Sequence, residues 1–325
     1  MADSGIDMTT INMTGIDMTV WHGRVDPEPD SDRWHQRIQA YGTDSEKGVV
    51  ITGFACDAGV ARNQGRTGAA EGPTAIRRAL APLAWHRDAP AYDGGDVHCQ
   101  GDDMERAQAT MGQHLARILD AGHLPIVLGG GHEMAFASWL GLSHHLAERD
   151  RRPTVAIINL DAHFDLRDPS HVRSSGTPFT QIAEDCAQRR WPFRYACLGV
   201  SQAANTRALF QRAERLKVLV RQDHEFRDEH IHAIKRDVQR LVASCDHVYL
   251  SIDMDVFPAS DAPGVSAPAA RGVVLSHLEP ILECLRTSGK LRLIDIAEVN
   301  PSHDIDQRTA RLAARLIHQL TRSSL

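Results

Sequence analysis

The sequence predicts an α/β protein in which helices cover both faces of a mostly parallel sheet. Apolar strand signals alternate with helically spaced segments from Gly48 to the C-terminus. That alternation is the pattern of a parallel sheet with crossover helices. No Pro-, Gly- or Ser-rich linker interrupts it, so residues 21–325 are expected to form a single domain. Finally, three of the strand signals run straight into polar motifs, which in open α/β sheets mark the ligand-binding edge.

The elements follow in order. Residues 1–20 contain a short repeat, Gly5-Ile6-Asp7-Met8-Thr9 returning as Gly15-Ile16-Asp17-Met18-Thr19. One such unit cannot form a core, and a disordered leader is expected over 1–20. Trp21–Lys47 reads as polar loop. Gly48–Phe54 reads as a buried strand, and Gly72–Leu83 as a helix with Pro73 in its first turn. Asp103–Ala121 carries Met104, Ala107, Met111, Leu115, Ile118 and Leu119 at helical spacing, and Gly122 stops it. Leu124–Leu128 is a strand, followed by a helix after His132. Further strands are predicted at Thr154–Leu160, Tyr195–Val200, Lys217–Val220, His247–Ile252 and Leu291–Ile296. Helices are predicted between the strands ending at Val200 and beginning at Lys217, and at Asp228–Ala243, Ser276–Thr287 and Gln307–Leu320.

Composition narrows the function classes. Hydrophobic residues make up 42 % of the 325 and charged residues 24 %, with a net charge of −6 and both signs dispersed. No basic block points to nucleic acid. No apolar run reaches the ~18–20 residues a membrane helix needs. The 6 cysteines form no C-x-x-C pair and read as reduced thiols, so a cytoplasmic enzyme acting on a small molecule is expected.

Three segments carry the chemistry: Gly129-Gly130-Gly131-His132-Glu133, Asn159-Leu160-Asp161-Ala162-His163-Phe164-Asp165, and Ser251-Ile252-Asp253-Met254-Asp255. In extended chain, alternate side chains point the same way, so Asp161, His163 and Asp165 can converge, as can Asp253 and Asp255. Singly, each segment could be a capped loop, a turn or a surface hydrogen-bond cluster. Together they assemble carboxylates that repel one another and are costly to bury unpaired. Two divalent ions would balance them. Oxygen-rich ligands with some imidazole suit manganese, with zinc, iron(II) and nickel as alternatives.

These three segments resemble, in order and approximate spacing, the signatures of the ureohydrolase (arginase/agmatinase) superfamily. The resemblance implies a three-layer α/β/α fold and two Mn2+ per subunit. It implies that His132, Asp161, Asp165 and Asp253 hold one ion and that Asp161, His163, Asp253 and Asp255 hold the other, with Asp161 and Asp253 bridging. Glu298, in Ile296-Ala297-Glu298-Val299-Asn300-Pro301, matches the family glutamate that receives the substrate's nitrogen end. By family analogy a homo-oligomer is expected.

Three further segments resemble the formimidoylglutamase branch: Trp21–Asp26, Gly53–Pro73 and Ser174–Phe179. Arginases carry S-G-N-x-H in the last of these, whereas Pro178 stands about where that histidine would be. The resemblance implies hydrolysis of N-formimino-L-glutamate to L-glutamate and formamide, with Asp165 as proton carrier and Glu298 as orienting carboxylate. The anionic tail needs donors, and Asn63, Arg66, Arg173, Ser175 and Gly176 are the candidates. A urea-releasing relative such as agmatinase or guanidinobutyrase is the rival reading, kept open by Glu71 and Asp168. A non-catalytic metal-binding homologue and a mononuclear zinc deacylase stand further off.

Overall fold

A computed structural model describes residues 15–323. Among these residues, nine strands form one sheet, all parallel: β1 (Gln39–Ala40), β2 (Val49–Ala55), β3 (Ala91–His98), β4 (Leu124–Gly129), β5 (Val155–Leu160), β6 (Arg194–Val200), β7 (Leu219–Gln222), β8 (His247–Asp253) and β9 (Leu291–Ala297). Their order is β1-β3-β2-β4-β9-β8-β5-β6-β7. The four central strands β4, β9, β8 and β5 are thus neighbours, although they are far apart in the chain. The chain leaves β4 and reaches β9 only at its end. That leaves a crevice at the carboxyl edge of the sheet, where ligands of open α/β folds bind.

The predicted helices stand close to their expected bounds: α3 (Gly72–Leu80), α4 (Met104–Asp120), α5 (Met134–Ala147), α7 (Arg207–Arg215), α8 (Asp228–Ala243), α9 (Leu275–Arg286) and α10 (Arg308–Thr321). Three helices went unpredicted: the short α1 (Trp34–Arg37) and α2 (Ala58–Arg62), and α6 (Pro178–Arg189), which starts on a proline suited to a first turn. Strand residues alternate between two cores. Val248, Leu250 and Ile252 face one layer with α3, α8, α9 and α10, while Tyr249 faces the other with α4, α5 and α6. The architecture is therefore three-layer α/β/α. Among the described residues, no helix is long and apolar enough to cross a membrane.

Two expectations need correction. Disorder was expected over 1–20, but Met18–Val20 form a short 3-10 turn, capped where Asp17 accepts the Thr19 N–H at 2.9 Å. Met18 and Val20 pack on the core. Residues 1–14, and that part of the expectation, lie outside the described residues. The second concerns Ala91–His98, which had no strand signal because its sequence, AYDGGDVH, is polar. Its buried Asp93 is held by Arg77 Nε (2.8 Å), Arg77 Nη2 (3.0 Å) and Trp21 Nε1 (2.7 Å). Paired in this way, a carboxylate can sit in the sheet without the cost of an isolated buried charge.

Candidate metal centre

The three motifs meet at the carboxyl ends of β4, β5 and β8. The glycines after β4 are required by close packing. The N–H groups of Gly130 and Gly131 donate to Phe54 O and Cys56 O, each at 2.9 Å. A Cβ on Gly130 would lie 1.9 Å from Cys56 O, so no side chain fits. This turn delivers His132 inward.

His132 Nδ1 lies 3.2 Å from Asp161 Oδ2, 2.9 Å from Asp165 Oδ2 and 3.1 Å from Asp253 Oδ2. Beside it, His163 Nδ1 lies 2.8 Å from Asp255 Oδ2 and 3.6 Å from Asp161 Oδ1. The ligand atoms of His132, Asp161, Asp165 and Asp253 fall within 4.8 Å of one another, as do those of Asp161, His163 and Asp255. Asp161 joins both groups. Asp253 joins the first and turns its other oxygen to the Asp255 N–H at 2.8 Å.

A buried relay sets the His132 tautomer. Ser251 Oγ donates to Asp295 Oδ1 at 2.6 Å, and Tyr249 OH donates to Asp295 Oδ2 at 2.6 Å. With its proton committed, Ser251 Oγ accepts from His132 Nε2 at 2.9 Å. Once the ring is neutral, as a metal ligand must be, Nδ1 offers its lone pair toward three carboxylate oxygens. Those four acceptors are then a donor set that a divalent cation fits.

Without a cation, the buried groups shift one another's protonation. Burial opposes a charged imidazole, yet Asp161, Asp165 and Asp253 hold the His132 pKa well above its ordinary value. Burial and the neighbouring Asp161 push Asp165 up to about 6, and burial with Asp255 and Asp161 pushes Asp253 well up. Among the four carboxylates, Asp165 faces the cavity most, at 12 % side-chain exposure against 0 % for Asp161.

Glu298 closes the other side. Its Oε1 accepts the His132 N–H at 3.0 Å, while its buried Oε2 has no hydrogen-bond partner among the described residues. Burial, then the charge of Glu133, push its pKa up to about 8. Glu298 and Asp165 both sit at positive φ, 68° and 47°, and such strain in non-glycine residues gathers at functional sites.

A cavity of about 330 Å3 opens over these groups. It is lined by His132, His163, Asp165, Asp253, Asp255 and Glu298, and also by Asn63, Ser175 and the exposed Arg66 and Arg167. With a protein-family model for the arginase family, residues 47–322 match. The chain belongs to the arginase family. Among the relatives, a formimidoylglutamase of Aeromonas hydrophila is 54 % identical over 310 residues, covering 94 % of this chain and 98 % of the relative. A formimidoylglutamase of Ralstonia nicotianae is 54 % identical over 309 residues, covering 94 % and 95 %. Among solved structures, Bacillus subtilis formimidoylglutamase aligns with a TM-score of 0.80 at 23 % identity, covering 92 % of this chain and 94 % of that one. Trypanosoma cruzi formiminoglutamase, solved with Mn2+, aligns at 0.74 and 26 % identity, covering 85 % and 93 %.

Not every expected tail-binding residue reaches the cavity of this arginase-family fold. Asn63 and Ser175 line it and are joined by an Asn63 Nδ2–Ser175 Oγ hydrogen bond of 3.1 Å. Arg66 lines it too, but its guanidinium is anchored to the carbonyls of Ser266 (2.9 Å) and Val265. Arg173 does not line it. Its carbonyl accepts from Arg62 Nη1 at 3.3 Å in a surface loop. Gly176 does not line it either; an added Cβ there would lie 2.8 Å from Arg167 Cδ. Sequence reasoning missed Arg167. The signal was present, since it continues the two-residue spacing of Asp161, His163 and Asp165.

Proposed function

We propose that the chain hydrolyses N-formimino-L-glutamate to L-glutamate and formamide, a step of histidine breakdown. The observation that carries the reading is Glu298 Oε2. It is a buried carboxylate oxygen without a partner, beside a cluster built for cations and facing the same cavity. A protonated formimino group is planar, cationic and rich in N–H donors. It would supply both the missing hydrogen bond and the missing charge. The relatives at 54 % identity favour glutamate as the remainder of that substrate.

Two divalent ions, manganese in this reading, would be held by His132, Asp161, Asp165 and Asp253 and by Asp161, His163, Asp253 and Asp255, supplying Lewis acidity and a water ionised at neutral pH. The chain's own residues do the rest. Glu298 grips the amidinium edge-on and orients its carbon toward the cluster. Asp165, the cluster carboxylate most open to the cavity, carries a proton to the departing nitrogen. Water adds to the formimino carbon, and the bond from that carbon to the glutamate nitrogen breaks. A cytoplasmic homo-oligomer belongs to the same proposal.

The test is product formation by manganese-loaded protein, with a chelated control. Release of glutamate and formamide from N-formimino-L-glutamate, lost on chelation, is expected. Metal-dependent urea release from agmatine, 4-guanidinobutyrate or L-arginine would retain the metal centre and discard the substrate.

A further inference from the structure

We propose that Arg167 is the residue that selects the substrate's distal, γ-carboxylate, and that Gly176 is kept bare to seat it. The inference rests on the substrate reading above and deepens it.

The argument begins with the arginines around the cavity and the groove that adjoins it. Arg62 is spent on Asp102 and Glu105, each at 2.8 Å. Arg66 holds the 265–266 carbonyls. Arg212 donates to Leu166 O at 2.6 Å and lies 3.7 Å from Asp168. Among the described residues, the Arg167 guanidinium has no hydrogen bond or ion pair. The nearest acid in sequence, Asp168, turns instead to the Ser170 N–H at 2.9 Å. Arg167 is exposed, and its unpaired planar fork at the cavity is shaped to take a carboxylate bidentately.

Its position specifies which carboxylate. Arg167 lines both the cavity over the cluster and the adjoining groove, so it stands at the mouth and not at the acidic floor. With the formimino carbon at the floor, the α-carboxylate remains near the reacting end and the γ-carboxylate reaches outward. The seat is also shaped. The Arg167 N–H donates to Gly176 O at 2.9 Å, fixing the two loops together. The side-chain stem then runs back across Gly176, so closely that a methyl there would meet Cδ at 2.8 Å and Nε at 3.1 Å. Gly176 follows Ser175, whose hydroxyl and the Asn63 amide it contacts add donors at the same rim. A cationic tail would meet this guanidinium as a like charge, so the same residue rejects it.

The experiment compares holoenzymes on two substrates, N-formimino-L-glutamate and N-formimino-L-alanine. The second keeps the reacting group and α-carboxylate but lacks the γ-carboxylate. Loss of a charge-assisted pair predicts that Arg167→Met lowers the glutamate-to-alanine ratio of kcat/KM on the order of 10- to 100-fold, chiefly through KM. Arg167→Lys should recover part of the ratio. Gly176→Ala, which displaces the stem but keeps the charge, should lower the ratio in the same direction. An unchanged ratio in Arg167→Met, whether both rates fall together or neither falls, overturns the assignment. Failure of the wild type on both substrates would instead refute the substrate reading, and this inference with it.

Discussion

Ser251→Ala isolates the relay behind the metal centre without replacing a metal ligand. Ser251 is fully buried and joins His132 Nε2 (2.9 Å) to Asp295 Oδ1 (2.6 Å). Its removal strands the Nε2–H against a methyl and takes one donor from Asp295. Leaving a buried donor unpaired costs about 1–3 kcal/mol. A ligand imidazole freed from its outer partner loses roughly 10- to 100-fold in metal affinity. At ~1.4 kcal/mol per tenfold, the two figures agree. The loss should fall on the ion at His132 and spare the one at His163, whose Nδ1 faces Asp255 at 2.8 Å away from Ser251. Calorimetric titration of metal-free protein with manganese would resolve two classes of site, and melting of the metal-free variant would report any general weakening of the fold. Unchanged affinity at both sites, or equal weakening of both, would refute the relay.

Other outcomes follow from the same geometry. Glu298→Gln keeps an acceptor for the His132 N–H but gives up the charge, so bound manganese should stay at wild-type stoichiometry while kcat/KM falls on the order of 100-fold or more. Arg77→Met leaves Asp93 buried at 2 % exposure with its ion pair broken, and chemical denaturation should show a loss of about 3–5 kcal/mol. The metal-free protein should melt lower as pH rises from about 5 to 8.5. Burial holds Glu133 at about 7 and Glu298 at about 8, so the unfolded chain releases those protons first, and stability falls as pH climbs through these values. His132 and His163, both raised by carboxylates against the effect of burial, act with the same sign above ~6.5. A melting temperature that rises over that range, or one that manganese fails to raise, contradicts this.

What was legible in the sequence depended on whether the signal was local. Strand β8 announced itself by an apolar run, and the Asp253–Asp255 pair by its spacing, because both are properties of neighbouring residues. The convergence of His132, Asp161 and Asp253 was inferable because a parallel sheet brings all carboxyl ends to one edge. β3 was not legible: Asp93 is tolerable in the sheet only through Arg77, 16 residues earlier, and Trp21, 72 earlier. Partners at that distance leave no periodicity. The arginines expected around the substrate's tail were hard to tell apart for a related reason. Arg66, Arg167 and Arg173 look alike in composition, and only tertiary contacts divide them. Carbonyls of the 265–266 loop consume Arg66, the loop course carries Arg173 outward, and a bare Gly176 leaves Arg167 facing the cavity. Charge in a rim loop is therefore weak evidence of recognition. The informative quantity is which guanidinium the fold leaves unpaired.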